Sequence, residues 1–426
     1  MTNLLSPASQ SCQTLTDWLC YIEQKHPQHQ IELGLGRVLK IAQRADLHLL
    51  PGKKILIAGT NGKGTTARTL EQLCAVQGFS VGVYSSPHLL QFNERLRING
   101  IDVADSLWCD AFSFIEQLRG DIELTYFEFT TLASFYLLKQ QQPDICLIEV
   151  GLGGRLDATN IIEPDLSILT TVDLDHQDYL GPDRESIGRE KAGVFRAGKP
   201  AVIGETDIPQ SVLKYSQDIA ATPLSINKDY RYRASETSFS WIGLQNRYEA
   251  LPLTCVPLQN IATALTALEV LALLPSKQQT AQVLAKLSLP GRMQWLSKTP
   301  GVLLDVAHNP QSAAYLATQL QFIKTGYARV HLLVGMLKDK DIQQSLAPFY
   351  PLADQWHLVD LPGARGAQAS LLVQHLPVHS NYCCYPDVES GYQKALLSMQ
   401  PNDLLVIFGS FVTVSAVLAL QKETDV

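Results

Sequence analysis

The sequence predicts a two-domain α/β protein with parallel sheets, in which the C-terminal domain is the smaller one. Continuous apolar segments alternate with stretches of helical spacing, which is typical of parallel strands covered on both faces. A second series of such segments begins near residue 301. The 426 residues also exceed what one hydrophobic core usually serves, since a domain contains roughly 100–200 residues.

The predicted elements of the first domain begin with KKILIAGT at residues 53–60, an apolar run rich in β-branched residues. Helical spacing ended by a glycine predicts a helix over 65–78. Further strands are predicted at 80–86, 144–150, 165–172 and 200–204, and a further helix at 130–141. Residues 230–253 alternate aromatic and polar side chains, which predicts an antiparallel hairpin, and a helix follows it.

The second domain is predicted to contain about five parallel strands with helices between them. The strand segments are GVLLDVA (301–307), RVHLLVGM (329–336), QWHLVDL (355–361), NYCCYPD (381–387) and DLLVIFGS (403–410). Proline and glycine at 290–291 and 300–301 mark the change of domain. We therefore expect one domain over residues 1–295 and another over 296–426.

Composition and charge exclude several classes of protein. The chain is 46% hydrophobic and 18% charged, as in ordinary globular proteins. A net charge of -7 without any long Lys/Arg run argues against a nucleic-acid partner. The N-terminal segment lacks the pattern of a secretory signal, and no apolar run approaches the ~18 residues of a membrane span. The eight cysteines form no C-x-x-C pair, so we expect a cytoplasmic protein whose cysteines are reduced and buried.

The segment AGTNGKGTTA (58–67) joins the first strand to its helix and resembles a phosphate-binding loop with unusual spacing. Gly59, Gly62 and Gly64 would let backbone N–H groups approach an anion at the positive end of a helix dipole. Lys63 would add a positive charge, and Thr65 or the next threonine would offer a hydroxyl to Mg²⁺. The loop therefore predicts nucleotide binding.

Two polar residues follow other predicted strands of the same sheet. Glu149 ends one strand and His176 follows another, inside DLDHQDYLG (173–181). Ligands bind at the carboxyl ends of strands in open α/β sheets, and carboxylate oxygen is a preferred ligand of Mg²⁺. Both residues are therefore candidate metal ligands, whereas the three aspartates at 173, 175 and 178 stay unassigned. Lys191 falls inside a predicted helix, where a lysine is normally a solvated cation.

Together these segments resemble the folylpolyglutamate synthase and dihydrofolate synthase family of the Mur ligase superfamily. The resemblance spans nearly the whole chain and is strongest in EVGLGGRLDATN and SIGREKAG. The segments that carry it are AGTNGKGTT (58–66), YSSPHL (84–89), NERLRING (93–100), LTYFE (124–128), EVGLGGRLDATN (149–160), LDH (174–176), SIGREKAG (186–193), LPGR (289–292), DVAHNP (305–310) and GS (409–410).

The resemblance implies an N-terminal P-loop ATPase domain of Mur ligase type, a smaller C-terminal Rossmann-like domain, and an active site in the cleft between them. In such enzymes the γ-phosphate of ATP is transferred to a pterin-linked carboxylate. The amino group of L-glutamate then attacks the acyl phosphate, which gives ADP, phosphate and a new amide. Phosphorylation is needed because a carboxylate is a poor acyl donor to an amine.

The resemblance also implies roles for individual residues around the nucleotide. The nucleotide contacts would come from Thr60, Asn61, Gly62, Lys63, Gly64, Thr65, Asn260, Arg292 and Asp305. Ser86 and Glu149 would hold one Mg²⁺, and Glu149, His176 and Lys191 a second one. The lysine matching Lys191 is carbamylated in this family, which reverses the interpretation of Lys191 as a solvated cation. Lys63, His176, Lys191 and Arg292 would be the catalytic residues.

The implied substrate contacts lie in both domains. Pterin contacts would come from Thr125, Tyr126, Phe127, Glu128, Leu156, Asp157 and Ala158, and from IELGLGR (31–37). Tyr126 and Phe127 suit ring stacking. His308 and Ser410, with Asp305, match positions used around the incoming glutamate. The implied small-molecule partners are dihydropteroate, tetrahydrofolate, L-glutamate and ATP, and the family is commonly monomeric.

Other classes of protein share some of these sequence features. A peptidoglycan Mur ligase would share the loop and the lysine, but only 58 residues precede Gly59, fewer than its nucleotide-sugar domain needs. A regulatory P-loop switch would leave the second domain unexplained. A dinucleotide oxidoreductase is rejected because GLGG (151–154) lacks the full G-x-G-x-x-G context. A monofunctional folylpolyglutamate synthase stays open, as do the preferred folate and the glutamate chain length.

Overall fold

A computed structural model describes residues 12–27 and 30–424. The chain divides into two compact units, Met1–Leu287 and Ser288–Val426. The sequence-based boundary after residue 295 stays a prediction. Much of the N-terminal segment judged to lack a secretory signal lies outside the described residues. Among those described, no helix is long and apolar enough to cross a membrane.

The first unit contains a large sheet, a small sheet and the helices that cover them. Its helices are α1 (Leu15–Lys25), α2 (Gly36–Gln43), α3 (Lys63–Ala75), α4 (Asp105–Arg119), α5 (Tyr126–Gln141), α6 (Gln177–Leu180), α7 (Arg184–Ala192), α8 (Gln210–Asp218), α9 (Leu258–Val270) and α10 (Lys277–Leu284). Its strands are β1 (Lys53–Ala58), β2 (Val81–Tyr84), β3 (Leu96–Ile98), β4 (Ile101–Asp102), β5 (Ile145–Glu149), β6 (Leu166–Leu169), β7 (Pro200–Ile203), β8 (Thr222–Ser225), β9 (Arg231–Ala234), β10 (Ser238–Ile242) and β11 (Arg247–Pro252).

The large sheet has the strand order β4-β3-β2-β5-β1-β6-β7-β8. The strands from β2 to β8 in this order run parallel, whereas β3 and β4 are antiparallel additions at one edge. Side chains of β1 alternate between two cores: Ile55 and Ile57 face one, and Leu56 and Ala58 the other. Burial on both faces explains why this strand is continuously apolar, as predicted.

The segment 230–253 forms the antiparallel three-stranded sheet β11-β10-β9. The predicted antiparallel pairing is confirmed, with one strand more than a hairpin. Phe239 and Trp241 of β10 are buried, and the Trp241 indole N–H donates to the Thr266 hydroxyl of α9 (3.1 Å). This sheet therefore packs against the helix that the sequence predicts after it.

The second unit is a smaller α/β domain. Its helices are α11 (Pro310–Ile323), α12 (Ile342–Leu346), α13 (Ala369–Val373), α14 (Val388–Ser398) and α15 (Phe411–Thr424). Its strands are β12 (Gln294–Lys298), β13 (Gly301–Leu304), β14 (Val330–Val334), β15 (Gln355–Val359), β16 (Tyr382–Tyr385) and β17 (Leu404–Phe408). The strand order is β12-β13-β17-β14-β15-β16, and the five predicted strands, β13 to β17, are parallel.

Two local predictions need correction. Strand β12 was not predicted; it pairs antiparallel with β13 at the edge of the second sheet. Its partly buried, mixed residues lack the continuous apolarity of a central strand. Lys191 lies in the last turn of α7 and not in a helix interior. The helix ends early because Gly193 is its C-cap and the Gly193 carbonyl is bound by Asn160 Nδ2 (3.1 Å).

Candidate active site

The loop after β1 places Lys63 at the start of α3. Gly62 is the N-cap residue at φ 85°, and no side chain of the described residues caps this end of the helix. The first N–H groups of the helix are thus left for an anion, as in phosphate-binding loops. Lys63 Nζ donates to the carbonyls of Gly59 (3.0 Å) and Thr60 (3.3 Å), which holds the ammonium over the loop.

Asn260 of α9 lies directly against this loop. A Cβ atom on Gly62 would come within 2.6 Å of Asn260 Oδ1, so only glycine fits there. Gly64 is partly buried in the first turn, and Thr65 retains slight exposure. The hydroxyl of Thr66 is fully enclosed, which favours Thr65 as the threonine that faces a ligand. The structure thus brings together the predicted nucleotide residues of the first unit.

The segment after β6 fixes the loop through hydroxyl groups, a contact that the sequence did not predict. The Thr171 hydroxyl accepts from Asn61 N (3.0 Å) and donates to Asn61 O (3.2 Å), and the Thr170 hydroxyl also donates to that carbonyl (2.6 Å). The Thr60 hydroxyl donates to Asp173 O (3.2 Å) and accepts from Asp173 N (3.0 Å). Loop and segment therefore hold one another in place.

We expect Thr171→Val to destabilise the first unit by about 2 kcal/mol, because it removes two hydrogen bonds to Asn61 from a nearly enclosed position. Urea unfolding followed by fluorescence measures the change. Thr171→Ser keeps the hydroxyl and is the control. Equal unfolding free energies for the valine and serine variants would contradict a stabilising role of the Thr171 hydroxyl.

Three candidate metal ligands follow strands of the large sheet at its carboxyl edge. Glu149 is the buried last residue of β5 and pairs in register with Ile57 of β1. Ser86 follows β2, the other neighbour of β5. His176 follows β6 and adopts φ 53°, and its Nε2 lies 3.9 Å from Asp175 Oδ1. The adjacent strands therefore direct all three residues to the edge that carries the Lys63 loop.

Lys191 is buried, with 5% of its surface exposed. Burial first, and then the charge of Lys63, lowers the pKa of Lys191 to about 7, while Asp175 and Asp157 act in the opposite sense. This lysine is therefore close to the phosphate loop and is not the solvated cation that its position in sequence suggests. An amine with such a pKa is largely neutral at pH 8 and can act as a nucleophile.

The segment 151–162 contacts the end of α7. The two most specific motifs, EVGLGGRLDATN and SIGREKAG, therefore meet in the structure. A Cβ on Gly154 would lie 2.8 Å from the carbonyls of Glu190 and Lys191. Arg155 N donates to Glu190 O (2.8 Å), and the two side chains form an ion pair. Asn160 Nδ2 bonds Gly193 O (3.1 Å). The glycine-rich segment thus packs on the end of α7 and positions Lys191.

The predicted pterin segments also meet. Arg37 of α2 forms an ion pair with buried Glu128 of α5 (2.7 Å), and Gly34 N donates to Leu156 O (3.1 Å). Thr125 is the N-cap of α5 and forms a capping box with Glu128. Thr125 and Glu128 therefore shape the segment through caps and ion pairs.

The two aromatic residues of this segment differ in surroundings. Tyr126 is buried under the guanidinium of Arg95, 5.6 Å from its ring centre. Phe127 is partly exposed and its ring fills the space beside Gly151, where a Cβ would come within 2.4 Å. Phe127 is thus the ring that is accessible for stacking. The neighbouring residues Asp157 and Ala158 are both buried, and Asp157 accepts from Leu152 N (2.8 Å) and from Thr159.

In the second unit, the candidate residues gather around one aromatic side chain. The Arg292 guanidinium lies 5.1 Å from the ring centre of Phe411, and the His308 ring lies 6.0 Å from it. Buried Asp305 accepts from Met293 N and Ala307 N, and burial raises its pKa whereas Arg292 lowers it. Phe411 was not predicted, although it directly follows the GS motif.

Ser410 serves the fold of the second unit as well. Its buried hydroxyl accepts from Thr413 N (3.0 Å) at the start of α15. His308 Nδ1 contacts Val306 O (2.8 Å), which orients the imidazole. Asp305, His308 and Ser410 therefore lie on the turns that follow β13 and β17, two neighbouring parallel strands, whereas Arg292 precedes β12.

The side chains of the first unit fit a nucleotide with a divalent cation. Carboxylate and hydroxyl oxygens suit Mg²⁺, and imidazole nitrogen is a common metal ligand in proteins. The uncapped start of α3, with Lys63 above it, suits phosphate. The described residues contain no group of three or more His, Cys, Asp or Glu side chains placed to hold a metal.

Comparisons with known proteins agree with this geometry. Residues 57–270 match the Mur ligase middle domain, and residues 291–411 match the Mur ligase glutamate ligase domain. The chain is 42% identical over 417 residues to a dihydrofolate synthase/folylpolyglutamate synthase of Escherichia coli (strain K12), with 97% of each chain covered.

Solved structures give the same result. Escherichia coli FolC in complex with DHPP and ADP is 41% identical, with a TM-score of 0.94, and the match covers 99% of this chain and 100% of that one. The Yersinia pestis bifunctional folylpolyglutamate synthase/dihydrofolate synthase complexed with AMPPNP and Mn ion is 45% identical, with a TM-score of 0.91, covering 98% and 100%. This chain therefore belongs to the dihydrofolate synthase/folylpolyglutamate synthase family of Mur ligases.

Proposed function

We propose that the protein is an ATP-dependent ligase that adds L-glutamate to dihydropteroate and to tetrahydrofolate and releases ADP and phosphate. The observation that carries this proposal is the meeting of the Lys63 loop, Glu149, His176 and buried Lys191 at one edge of the sheet. The relatives at 42% and 45% identity bear dual names, and the similar solved structures include complexes with ADP and with an ATP analogue.

The reaction proceeds in two steps. A carboxylate oxygen of the substrate attacks the γ-phosphorus of ATP, and ADP leaves. The neutral amino group of glutamate then attacks the acyl carbon, phosphate leaves with the former carboxylate oxygen, and the nitrogen loses a proton. Lys63 holds positive charge beside the transferring phosphate, and the N–H groups of α3 orient the phosphate chain.

Two Mg²⁺ ions would neutralise the phosphate charge when bound. Ser86 and Glu149 would hold the first ion, and Glu149, His176 and a carbamate on Lys191 would hold the second. Carbon dioxide reacts with neutral amines, and burial with neighbouring Lys63 keeps the Lys191 amine largely neutral near pH 8. Addition of carbon dioxide would turn this buried cation into an anionic oxygen ligand.

The remaining residues are proposed to bind the substrates and the nucleotide. The pterin would lie against the segments around Phe127 and Leu156, which meet in the first unit. Asn260, Arg292 and Asp305 would contact the nucleotide, and His308 with Ser410 would contact glutamate. In this proposal residues 1–295 form the ATP- and pterin-binding domain and residues 296–426 the glutamate ligase domain.

We also propose a cytoplasmic monomer without nucleic-acid or membrane partners. The net charge of -7 supports the first exclusion. The expectation of buried cysteines is wrong for Cys20, Cys255, Cys383 and Cys384, which are exposed, the last two on the edge strand β16. Cys74 and Cys146 are buried, and burial raises their pKa to about 12, so these thiols are inert. Such cysteines are typical of proteins in a reducing compartment.

Glutamate-dependent ADP release is the experiment that tests the function. We expect turnover with dihydropteroate and, separately, with tetrahydrofolate, and no release when glutamate is omitted. Turnover with tetrahydrofolate alone would indicate the alternative, a monofunctional folylpolyglutamate synthase. ATP binding without turnover on either substrate would refute the folate assignment and leave another Mur-type amino-acid ligase.

A further inference from the structure

Arg95 is a buried cation that has no acidic partner in the described part of the chain. Only 2% of its surface is exposed, and none of the described residues places a carboxylate within ion-pair distance of its guanidinium. Its side chain makes one hydrogen bond, from Nε to His88 Nδ1 (2.9 Å). Buried charges are normally paired because removing an ion from water costs several kcal/mol.

The surroundings of Arg95 compensate only part of that cost. The guanidinium lies over the rings of Phe92 (5.4 Å) and Tyr126 (5.6 Å), and such cation–π contacts offset part of the cost of burying the charge. His88 Nδ1 accepts the hydrogen bond from Arg95 Nε, so this nitrogen carries no proton and the imidazole is neutral. None of these partners carries a negative charge.

The terminal nitrogens of Arg95 remain available for another group. They have no hydrogen-bond partner among the described residues, yet they are not among the fully enclosed polar atoms. A guanidinium presents two parallel N–H groups that match a carboxylate. Arg95 therefore supplies the cation of an ion pair, and a bound carboxylate would supply the anion.

Arg95 lies beside the proposed substrate segment and apart from the phosphate end of the site. Its backbone carbonyl accepts from Ser85 N (2.9 Å), next to candidate ligand Ser86, and its side chain covers Tyr126. Arg95 directly precedes β3, and two strands, β2 and β5, separate β3 from β1, the strand that leads into the Lys63 loop. An anion bound by Arg95 is thus a different group from the carboxylate that receives phosphate.

The two proposed substrates differ in one such anion. Dihydropteroate has a single carboxylate, and that carboxylate reacts. Tetrahydrofolate ends in a glutamate with two carboxylates, of which one reacts and the other stays a free anion. This step rests on the proposed function, because it assumes that both compounds are substrates.

We propose that Arg95 binds the non-reacting carboxylate of glutamylated substrates and is therefore a specificity-determining residue. It contributes to the tetrahydrofolate reaction and little to the dihydropteroate reaction. The assignment explains why a guanidinium without an acidic partner is kept beside Tyr126.

Kinetics with both substrates test the proposal. We expect Arg95→Gln to lower kcat/KM for tetrahydrofolate roughly 30-fold, the size of a charge-assisted hydrogen-bonded pair, and to change kcat/KM for dihydropteroate less than about threefold. Arg97→Gln is the matched control: Arg97 already pairs with Glu71 (2.9 Å), and its loss leaves Glu71 paired with Arg68 (2.8 Å). The ratio of the two activities should not change in Arg97→Gln.

A substrate analogue sharpens the test. Tetrahydrofolate amidated at its non-reacting carboxylate should be a roughly 30-fold poorer substrate for the native protein, while Arg95→Gln should use the acid and the amide equally well. Equal use of acid and amide by the native protein, or equal loss of both activities in Arg95→Gln, would overturn the inference.

A second variant distinguishes a failure of folding from a loss of tetrahydrofolate recognition. If thermal unfolding shows that Arg95→Gln does not fold, Arg95→Lys decides, because it keeps the charge but cannot form two parallel hydrogen bonds. A loss confined to tetrahydrofolate supports the proposal, and an unchanged activity ratio refutes it. A native protein inactive on both substrates would instead refute the proposed function.

Discussion

Replacing Lys191 by alanine should abolish turnover with both substrates, by at least about 1,000-fold. Loss of a metal ligand removes several kcal/mol of transition-state stabilisation, and each 1.4 kcal/mol is a factor of ten in rate. The side chain is buried, and Lys63, Asp157 and Asp175 lie close enough to act on its charge. Alanine fits the helical conformation of α7, so the fold should persist.

The proposed carbamate leads to a second expectation that is specific to Lys191. Enzyme depleted of carbon dioxide should lose activity, and bicarbonate should restore it. Incubation with ¹³C-labelled bicarbonate should give one carbamate signal in the NMR spectrum of the native protein and none in Lys191→Ala. The exposed Lys199 is the control, since Lys199→Ala should retain both the signal and the activity.

Either of two results would contradict this role. Unaltered turnover in Lys191→Ala would exclude Lys191 as a metal ligand. Full activity without carbon dioxide, together with an inactive Lys191→Ala, would instead mean that the amine itself acts in catalysis. The two experiments therefore distinguish the contribution of the Lys191 side chain from that of the proposed carbamate.

The sequence predicted those elements of the fold whose own residues show which of their faces are buried. Strand β1 alternates between two cores, so every residue from Ile55 to Ala58 is apolar and the parallel sheet is evident from the sequence. Edge strand β12 is only partly buried, and its mixed residues give no such signal. The end of α7 depends on Asn160, a residue distant in sequence.

The site was predictable to the extent that its residues follow strands. Glu149 and His176 were identified in this way, because parallel strands end at one edge of the sheet. Burial of Lys191 was not evident from the residues alone, since it results from packing of α7 against the segment that contains Gly154. Thr171 and Arg95 were missed for the same reason: their partners come from other segments of the chain.

The loop itself gives the second large effect: Lys63→Met should lower kcat by at least about 100-fold with either substrate. Loss of one donor that stabilises a developing charge typically lowers the rate by 10²–10³. Methionine keeps the unbranched shape and helix propensity of lysine but carries no charge. Lys63 is the first residue of α3, and its ammonium is held at the loop by the Gly59 and Thr60 carbonyls.

Binding and turnover should respond differently in this variant. The N–H groups of α3 still bind phosphate in Lys63→Met, so calorimetry should show a smaller loss in ADP affinity than in kcat. Lys53→Met is the matched control, because Lys53 is exposed at the opposite end of β1. Equal kcat values for the two variants, or a loss explained fully by ADP affinity, would mean that Lys63 binds the nucleotide without stabilising the transfer of its phosphate.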